Sequence, residues 1–159
     1  MNKAKNLATT AIIAALYVVL TFIANALGLA SGAIQVRISE SLCILPIFTP
    51  AAIPGLFLGC LISNIISGCV IWDIIFGSLA TLIGAFFTYL LRNHKNLAIV
   101  PPILANTIII PFVLKFAYGL PAGLWYLIII VGIGEIISCG ILGTILFKIL
   151  KKHENSIKW

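Results

Sequence analysis

The sequence consists mainly of long apolar runs, interrupted by short stretches rich in glycine, proline or charge. An apolar run of about 20 residues is long enough to cross a lipid bilayer as a helix. The interruptions divide the chain into six predicted helices, with approximate bounds 7–27, 38–48, 52–67, 73–92, 97–116 and 121–150. We therefore predict an all-α integral membrane protein that forms one domain over residues 1–159.

The second predicted helix is the shortest, and it leaves the number of membrane crossings open between five and six. As an α-helix, residues 38–48 extend only about 16 Å, roughly half of the apolar thickness of a bilayer. Residues 38–67 could instead form one helix kinked near Pro46 and Pro50. The apolar pattern alone leaves both arrangements open.

The distribution of basic residues favours six crossings, because lysine and arginine concentrate on the cytoplasmic side of membrane proteins. With six crossings, both termini and the loop around residues 92–95 share one side. Eight of the ten basic residues then face the cytoplasm, at positions 3, 5, 92, 95, 148, 151, 152 and 158. Only Arg37 and Lys115 lie opposite. We expect a six-helix transmembrane bundle with both ends in the cytoplasm.

The composition excludes several other classes of protein. The chain is 62% hydrophobic and only 9% charged, whereas a soluble domain is about one-quarter charged. The net charge of +6 comes from residues that flank the apolar runs, where they contact lipid headgroups, so we expect no nucleic-acid binding. The four cysteines lie in apolar surroundings, and we expect them to pack as small hydrophobic residues without disulfides.

Three of the four acidic residues lie in or beside the apolar runs. Glu40, Asp73 and Glu135 would each cost about 2.5–3.5 kcal/mol at bilayer depth, unless they are paired, protonated or turned towards a cavity. Glu135 is the deepest, and the adjacent Gly132 and Gly134 allow another backbone to approach closely. These carboxylates are candidates for a polar binding site inside the bundle.

Other polar residues have two possible roles, and the sequence leaves both open. Arg37 shares a helical face with Glu40, so the pair could clamp a solute or only neutralise itself. Asp73 could bind a ligand, or it could cap its helix and complement the helix dipole. Asn64 and Asn106 could bind a nucleobase edge or join neighbouring helices. In the same way, Trp72 and Trp125 could stack on a planar ligand or anchor the membrane interface.

A stripe of small residues runs along the first predicted helix, at Ala4, Ala8, Ala11 and Ala15. Such a stripe lets another helix approach closely, and that helix could belong to the same chain or to a separate subunit. A weaker pair, Gly55 and Gly59, indicates packing within the chain.

Catalytic and nucleotide-binding motifs are not evident in the sequence. It contains no phosphate-binding glycine loop or metal-binding helix motif, and its histidines, His94 and His153, lie outside the apolar runs. We expect no enzyme activity, no metal, no cofactor and no ATP hydrolysis by this chain. A membrane-embedded enzyme, which would turn over a substrate, and an assembly subunit, which would bind no solute, are the alternatives to a transport protein.

Four segments resemble the QueT family. They are IQVRISESLCILPIFTPAAIPGLFLGCLISN at 34–64, DIIFGSLATLIGA at 73–85, PPILAN at 101–106 and GIGE at 132–135. The family comprises substrate-binding S-components of energy-coupling factor (ECF) transporters. The resemblance implies the S-component fold of six helices in the bacterial plasma membrane, with a solute site near the outer face. It also implies a coupling subunit and two ATPase subunits as partners, which would dock on Ala8, Ala11 and Ala15.

The resemblance further implies a queuosine precursor, an aminomethyl-deazaguanine, as the ligand. One carboxylate could accept two hydrogen bonds from its guanine edge and another could pair with its ammonium group, while tryptophan stacks on the ring. The implied substrate-binding residues are Arg37, Glu40, Asn64, Trp72, Asp73, Asn106, Trp125 and Glu135. Our hypothesis places Glu135 on the guanine edge. The alternative is an S-component for another vitamin or nucleobase-like micronutrient.

Overall fold

The computed structural model describes residues 3–29, 34–94 and 97–153, and all the regular elements in these ranges are helical. They are α1 (Lys3–Ala26), a 3-10 helix (Ile38–Ile47), α2 (Ala52–Ile66), α3 (Ile71–Leu90), α4 (Val100–Ala117) and α5 (Leu124–Lys152). The last part of α4 (Val113–Ala117) and the middle of α5 (Ile136–Leu142) are π-helical. Lys95, Glu154 and Lys158 lie outside the described residues.

The all-α prediction is confirmed, and the long helices begin and end within a few residues of their predicted bounds. By length and apolar composition, α1, α3, α4 and α5 could each cross a membrane, while α2 and the 3-10 helix are shorter apolar segments. The number of crossings and the cytoplasmic position of both termini stay predictions.

The second segment is a 3-10 helix in the structure. Such helices rise about 2.0 Å per residue and rarely exceed four residues, so this ten-residue example depends on its surroundings. Residues 39–46 are all buried. The segment lies between α1 and α5 and also contacts α2 and α3, so tertiary packing on every side holds it in place.

The α-helices pack in chain order, each against the next. Glycine makes the α1–α2 contact close, because a Cβ atom added at Gly59 would lie 2.6 Å from the Cβ of Tyr17. Gly55 meets the Thr10 backbone and Ile13 in the same way. The prediction that Gly55 and Gly59 serve packing within the chain is confirmed.

The alternating helix directions bring five helix ends together around two cavities. These are the C-terminal ends of α1, α2 and α4 and the N-terminal ends of α3 and α5. Most of the basic residues that the structure describes lie at the opposite helix ends, namely Lys3, Lys5, Arg92, Lys148, Lys151 and Lys152. The cavities therefore lie at the end with few basic residues.

Candidate functional site

Two adjoining cavities open between the helices at this end. The first, lobe 1, has a volume of about 330 Å³, and the second, lobe 2, about 210 Å³. Their common wall is formed by Gln35, Arg37, Ile110, Leu114 and Leu120. Small-molecule sites typically occupy about 300–1,000 Å³, so the two lobes together can hold one small solute.

Most of the residues that line lobe 1 carry polar side chains. Its polar and sulfur-containing side chains, apart from the common wall, are Tyr17, Thr21, Asn25, Ser39, Ser63, Asn64, Ser67, Cys69, Asp73 and Tyr118. Asp73 is the only acid among them and is 5% exposed. Its Oδ2 accepts a hydrogen bond of 2.9 Å from the Tyr118 hydroxyl, whereas its Oδ1 is buried and has no partner. A buried acceptor without a partner is costly, so this oxygen is a candidate acceptor for a ligand donor.

Asp73 is held in this position by both α2 and α3. Asn64 of α2 donates through Nδ2 to the Asp73 backbone carbonyl over 3.3 Å. One turn along α3, Gly77 leaves room for the carboxylate, because a Cβ added there would lie 3.2 Å from Oδ1. The N-cap of α3 is Val70, and no side-chain capping bond forms there. Asp73 therefore forms no capping bond, but it lies in the first turn of α3, where its negative charge complements the helix dipole.

The hydroxyl of Tyr118 remains available to bind this carboxylate. Partial burial, together with the hydrogen bond to Asp73, raises the pKa of the Tyr118 phenol. The phenol therefore stays protonated at neutral pH and donates its hydrogen to Oδ2.

Lobe 2 is an apolar slot with polar groups on one wall. Beyond the common wall, it is lined by Pro121, Ala122, Tyr126, Leu127, Ile130, Val131 and Glu135. Glu135 is 6% exposed, and its Oε2 accepts a 3.4 Å hydrogen bond from the Cys139 thiol. The Asn106 side chain also interacts with this carboxyl group. Lobe 2 thus presents the Glu135 carboxyl group beside apolar surface.

The chain segment at 35–37 reaches both lobes because it lies directly against α5. A Cβ at Gly134 would collide with the backbone oxygen of Gln35, so glycine is required for this approach. The backbone N–H of Arg37 donates to Ser138 Oγ over 3.0 Å. The predicted close approach at Gly134 is confirmed, and it brings Arg37 to the edge of both lobes.

The guanidinium of Arg37 has no ion-pair partner within residues 3–29, 34–94 and 97–153. The self-neutralising pair with Glu40, one of the two alternatives for these residues, is therefore not formed. Arg37 presents its donors to the two lobes.

Glu40 lies behind the cavity wall and lines neither lobe. Its fully buried carboxylate accepts hydrogen bonds from Tyr17 and, over 3.5 Å, from Thr81 at Oε1. Its Oε2 accepts bonds from Asn106 Nδ2 at 3.4 Å and from the Cys43 thiol at 3.1 Å. We expected Glu40 and Asn106 to contact the ligand. In the structure they bind each other instead, because donors from α1, α3 and α4 converge on this carboxylate.

Glu40, Cys43 and Cys139 are close enough to be considered as metal ligands, since their donor atoms lie within 4.8 Å of one another. Structural zinc sites use four protein ligands. Both thiols already donate hydrogen bonds, Cys43 to Glu40 and Cys139 to Glu40 and Glu135. The trio therefore fits a hydrogen-bonded core better than a metal centre.

The two tryptophans lie outside both lobes. Trp72 is 55% exposed and lines an apolar groove between α3 and α4, where it stacks on Phe76. Trp125 is 80% exposed. The structure therefore does not bring these predicted stacking residues to the cavity. The aromatic residues that do line it are Tyr17, Tyr118 and Tyr126.

Sequence reasoning missed Tyr17 and Tyr118, and it also missed Gln35 and the serines of lobe 1. The available signal for Tyr17 was a hydroxyl group in the middle of an apolar run. For Gln35, the signal was its place two residues before Arg37.

The alanine stripe of α1 faces away from the rest of the described bundle. Ala4, Ala8, Ala11 and Ala15 are all exposed, while Ile13 and Tyr17 on the same helix are buried. The alternative in which the stripe packs against another described helix is therefore wrong, and it remains free for an external partner.

A family model described as the QueT transporter matches residues 7–152 of the chain. The chain belongs to the QueT transporter family. QueT proteins are transporters, so membership confirms that the chain is a membrane transport protein and not an enzyme. Neither a curated protein nor a solved structure shows a significant match.

Proposed function

We propose that this QueT protein is the S-component of an ECF importer and captures an aminomethyl-deazaguanine, a queuosine precursor, from outside the cell. The observation that carries the proposal is the buried Oδ1 of Asp73, which lacks a partner and lies in lobe 1 together with Arg37, next to the lobe that Glu135 lines. Two carboxylates and one guanidinium complement a ligand that combines a cation with a donor-rich edge and a carbonyl.

The proposed arrangement has six helices in the bacterial plasma membrane, with both termini in the cytoplasm. Its support is the separation of the cavities from most of the described basic residues, which lie at the opposite helix ends. Because basic residues favour the cytoplasmic side, this orientation opens the lobes to the outside. Lipid headgroups would then meet the basic ends of α1 and α5.

The proposed transport cycle begins with capture of the solute in the two lobes. The ECF coupling subunit then docks on the exposed stripe of Ala8, Ala11 and Ala15, and the bundle reorients to present the solute to the cytoplasm. Two ATPase partners supply the energy, since the sequence contains no phosphate-binding loop. Helix α1 carries both the docking stripe and Tyr17 of lobe 1, so it links the two surfaces.

Ligand-induced stabilisation of the purified full-length chain in detergent tests the substrate. Thermal unfolding is measured with 7-aminomethyl-7-deazaguanine and, in parallel, with riboflavin, thiamine and biotin. At about one hundred times the dissociation constant, a ligand that binds only the folded state stabilises it by about 2.7 kcal/mol. We expect this effect from the deazaguanine alone. Stabilisation by a vitamin, with no response to the deazaguanine, would contradict the proposed substrate.

A further inference from the structure

We propose that the ligand spans both lobes in one orientation, with its heterocycle in lobe 2 against Glu135 and its ammonium group in lobe 1 against Asp73. This assignment rests on the proposed function, because it takes the ligand to be an aminomethyl-deazaguanine. Gln35 and Arg37 line both lobes, so the lobes adjoin there and one small solute could contact both.

Lobe 2 suits the ring system because of its apolar walls. Leu127, Ile130 and Val131 can bury the faces of a flat heterocycle, which releases apolar surface from water. The Glu135 carboxyl group offers acceptors for the ring N–H and amino group, and Arg37 offers donors for the ring carbonyl. The polar groups of lobe 2 therefore match the edge of a guanine.

Lobe 1 suits the ammonium group because that group has three N–H donors and needs several acceptors. The Oδ1 of Asp73 provides a charged one, and the hydroxyl or amide oxygens of Ser63, Asn64 and Ser67 provide neutral ones on the same wall. Each lobe has one acid, but in lobe 2 most of the remaining wall is aliphatic and offers few neutral acceptors. An ammonium group placed there would leave donors unsatisfied.

Tyr118 fixes which oxygen of Asp73 receives the ligand. Its hydroxyl donates to Oδ2 over 2.9 Å, and Gly77 has no side chain that would crowd Oδ1. The carboxylate is thus oriented before the ligand arrives, so little conformational entropy is lost when the ammonium group binds.

The test measures affinities of the full-length protein in detergent for three compounds: 7-aminomethyl-7-deazaguanine, its neutral 7-cyano counterpart and 7-deazaguanine without an arm. Asp73→Asn is expected to weaken binding of the aminomethyl compound by about tenfold or more, the equivalent of one charge-assisted hydrogen bond. It should leave the two neutral compounds within about threefold of their original affinity, since no cation reaches lobe 1. Glu135→Gln is expected to weaken all three compounds by similar factors of about tenfold or more.

The pattern of affinity losses across the three compounds tests the orientation of the bound ligand separately from the proposed function. If Glu135→Gln affected only the aminomethyl compound while Asp73→Asn affected all three, the ligand would lie the other way round and the S-component would stand. Equal losses for every compound in both variants would also overturn the orientation. If the unsubstituted protein bound none of the three compounds, the proposed substrate itself would fall.

A second variant allows the proposal to be tested even if Asp73→Asn fails to fold. Tyr118→Phe keeps the aspartate but removes the hydrogen bond that orients it. We expect it to reduce the preference for the aminomethyl over the cyano compound by about threefold to tenfold. An unchanged preference would contradict the role of lobe 1 in binding the ammonium group.

Discussion

The hydroxyl of Tyr17, on α1, donates a hydrogen bond to Oε1 of Glu40, on the 3-10 helix. Both side chains are almost completely buried. Tyr17 also lines lobe 1, and the helix that carries it presents the alanine stripe on its exposed side. This single contact therefore connects the surface proposed for docking, the wall of the cavity and the buried segment behind it.

Removal of this hydroxyl should destabilise the fold. Tyr17→Phe leaves the buried Glu40 carboxyl with one donor fewer, and we expect a loss of about 1–3 kcal/mol in the free energy of unfolding. Thermal unfolding in detergent measures the effect. Tyr89→Phe is the matched control, because the Tyr89 ring packs under Arg92 at 4.2 Å from its centroid and keeps that contact. Equal losses in the two variants would contradict the structural role of the Tyr17–Glu40 contact.

Much of the architecture follows from the sequence, because proline, glycine and charge mark where apolar helices end. The positions of Arg37, Asn64, Asp73 and Glu135 on the cavity walls were also predictable. Polar side chains in apolar runs have few sites other than an internal cavity, so their chemistry indicates their location.

Whether an aromatic residue faces the interior or the outside of the bundle was less predictable from the sequence. In a soluble helix, apolar residues mark the side facing the core. In a membrane both sides are apolar, because lipid tails are as apolar as leucine, so the sequence does not show that Trp72 and Trp125 face outward. The hydrogen bonds that the Glu40 carboxylate accepts were unpredictable for another reason. Their donors, Tyr17, Thr81 and Asn106, are far apart in sequence.

The glycine next to Glu135 should be necessary for ligand binding. In Gly134→Ala, the new methyl group would collide with the Gln35 backbone and displace Arg37 from both lobes. We expect ligand affinity to fall by about tenfold or more, as one charge-assisted contact is lost. Gly140→Ala, also in α5, is the matched control because its Cβ would meet only atoms at 3.7 and 3.8 Å. Titration calorimetry compares the two, and a similar affinity in both would contradict this role of Gly134.

A thiol at the cavity can report whether it is occupied. Cys69 lines lobe 1 and is partly exposed, whereas Cys43, Cys60 and Cys139 are buried. A membrane-impermeant maleimide should therefore label Cys69 first, and saturating ligand should slow that labelling. Burial, together with the nearby Asp73, raises the pKa of the Cys69 thiol. Because the thiolate is the reactive form, the labelling rate should keep rising with pH through the ordinary thiol range.

The labelling experiment has an internal control in Cys69→Ser, which should remove the rapid phase and leave three buried thiols. A labelling rate that does not change when the ligand saturates the protein would show that the solute does not occupy lobe 1.

The docking stripe can be tested separately from the cavity. Ala11→Leu places a bulky side chain on the exposed stripe and should prevent close helix packing. We expect co-purification with the coupling subunit and the ATPases to be lost, while ligand affinity stays within about twofold, since surface changes are usually small in effect. Ala26→Leu is the control, because Ala26 is exposed at the other end of α1. Retained assembly in Ala11→Leu would exclude the stripe as the docking face.

Residues 39–46 are buried, so they belong to the interior of the protein. A membrane protein must both insert into the bilayer and recognise its solute, and different residues can meet these two requirements. Insertion depends on the apolar residues that face lipid, and these belong mainly to the outer sides of the α-helices. Recognition of the solute depends on residues in the interior, and the lipid-facing residues do not form that interior. Mutations can therefore retune solute preference from within while the exterior stays compatible with the bilayer, and the two properties can evolve at different positions in the chain.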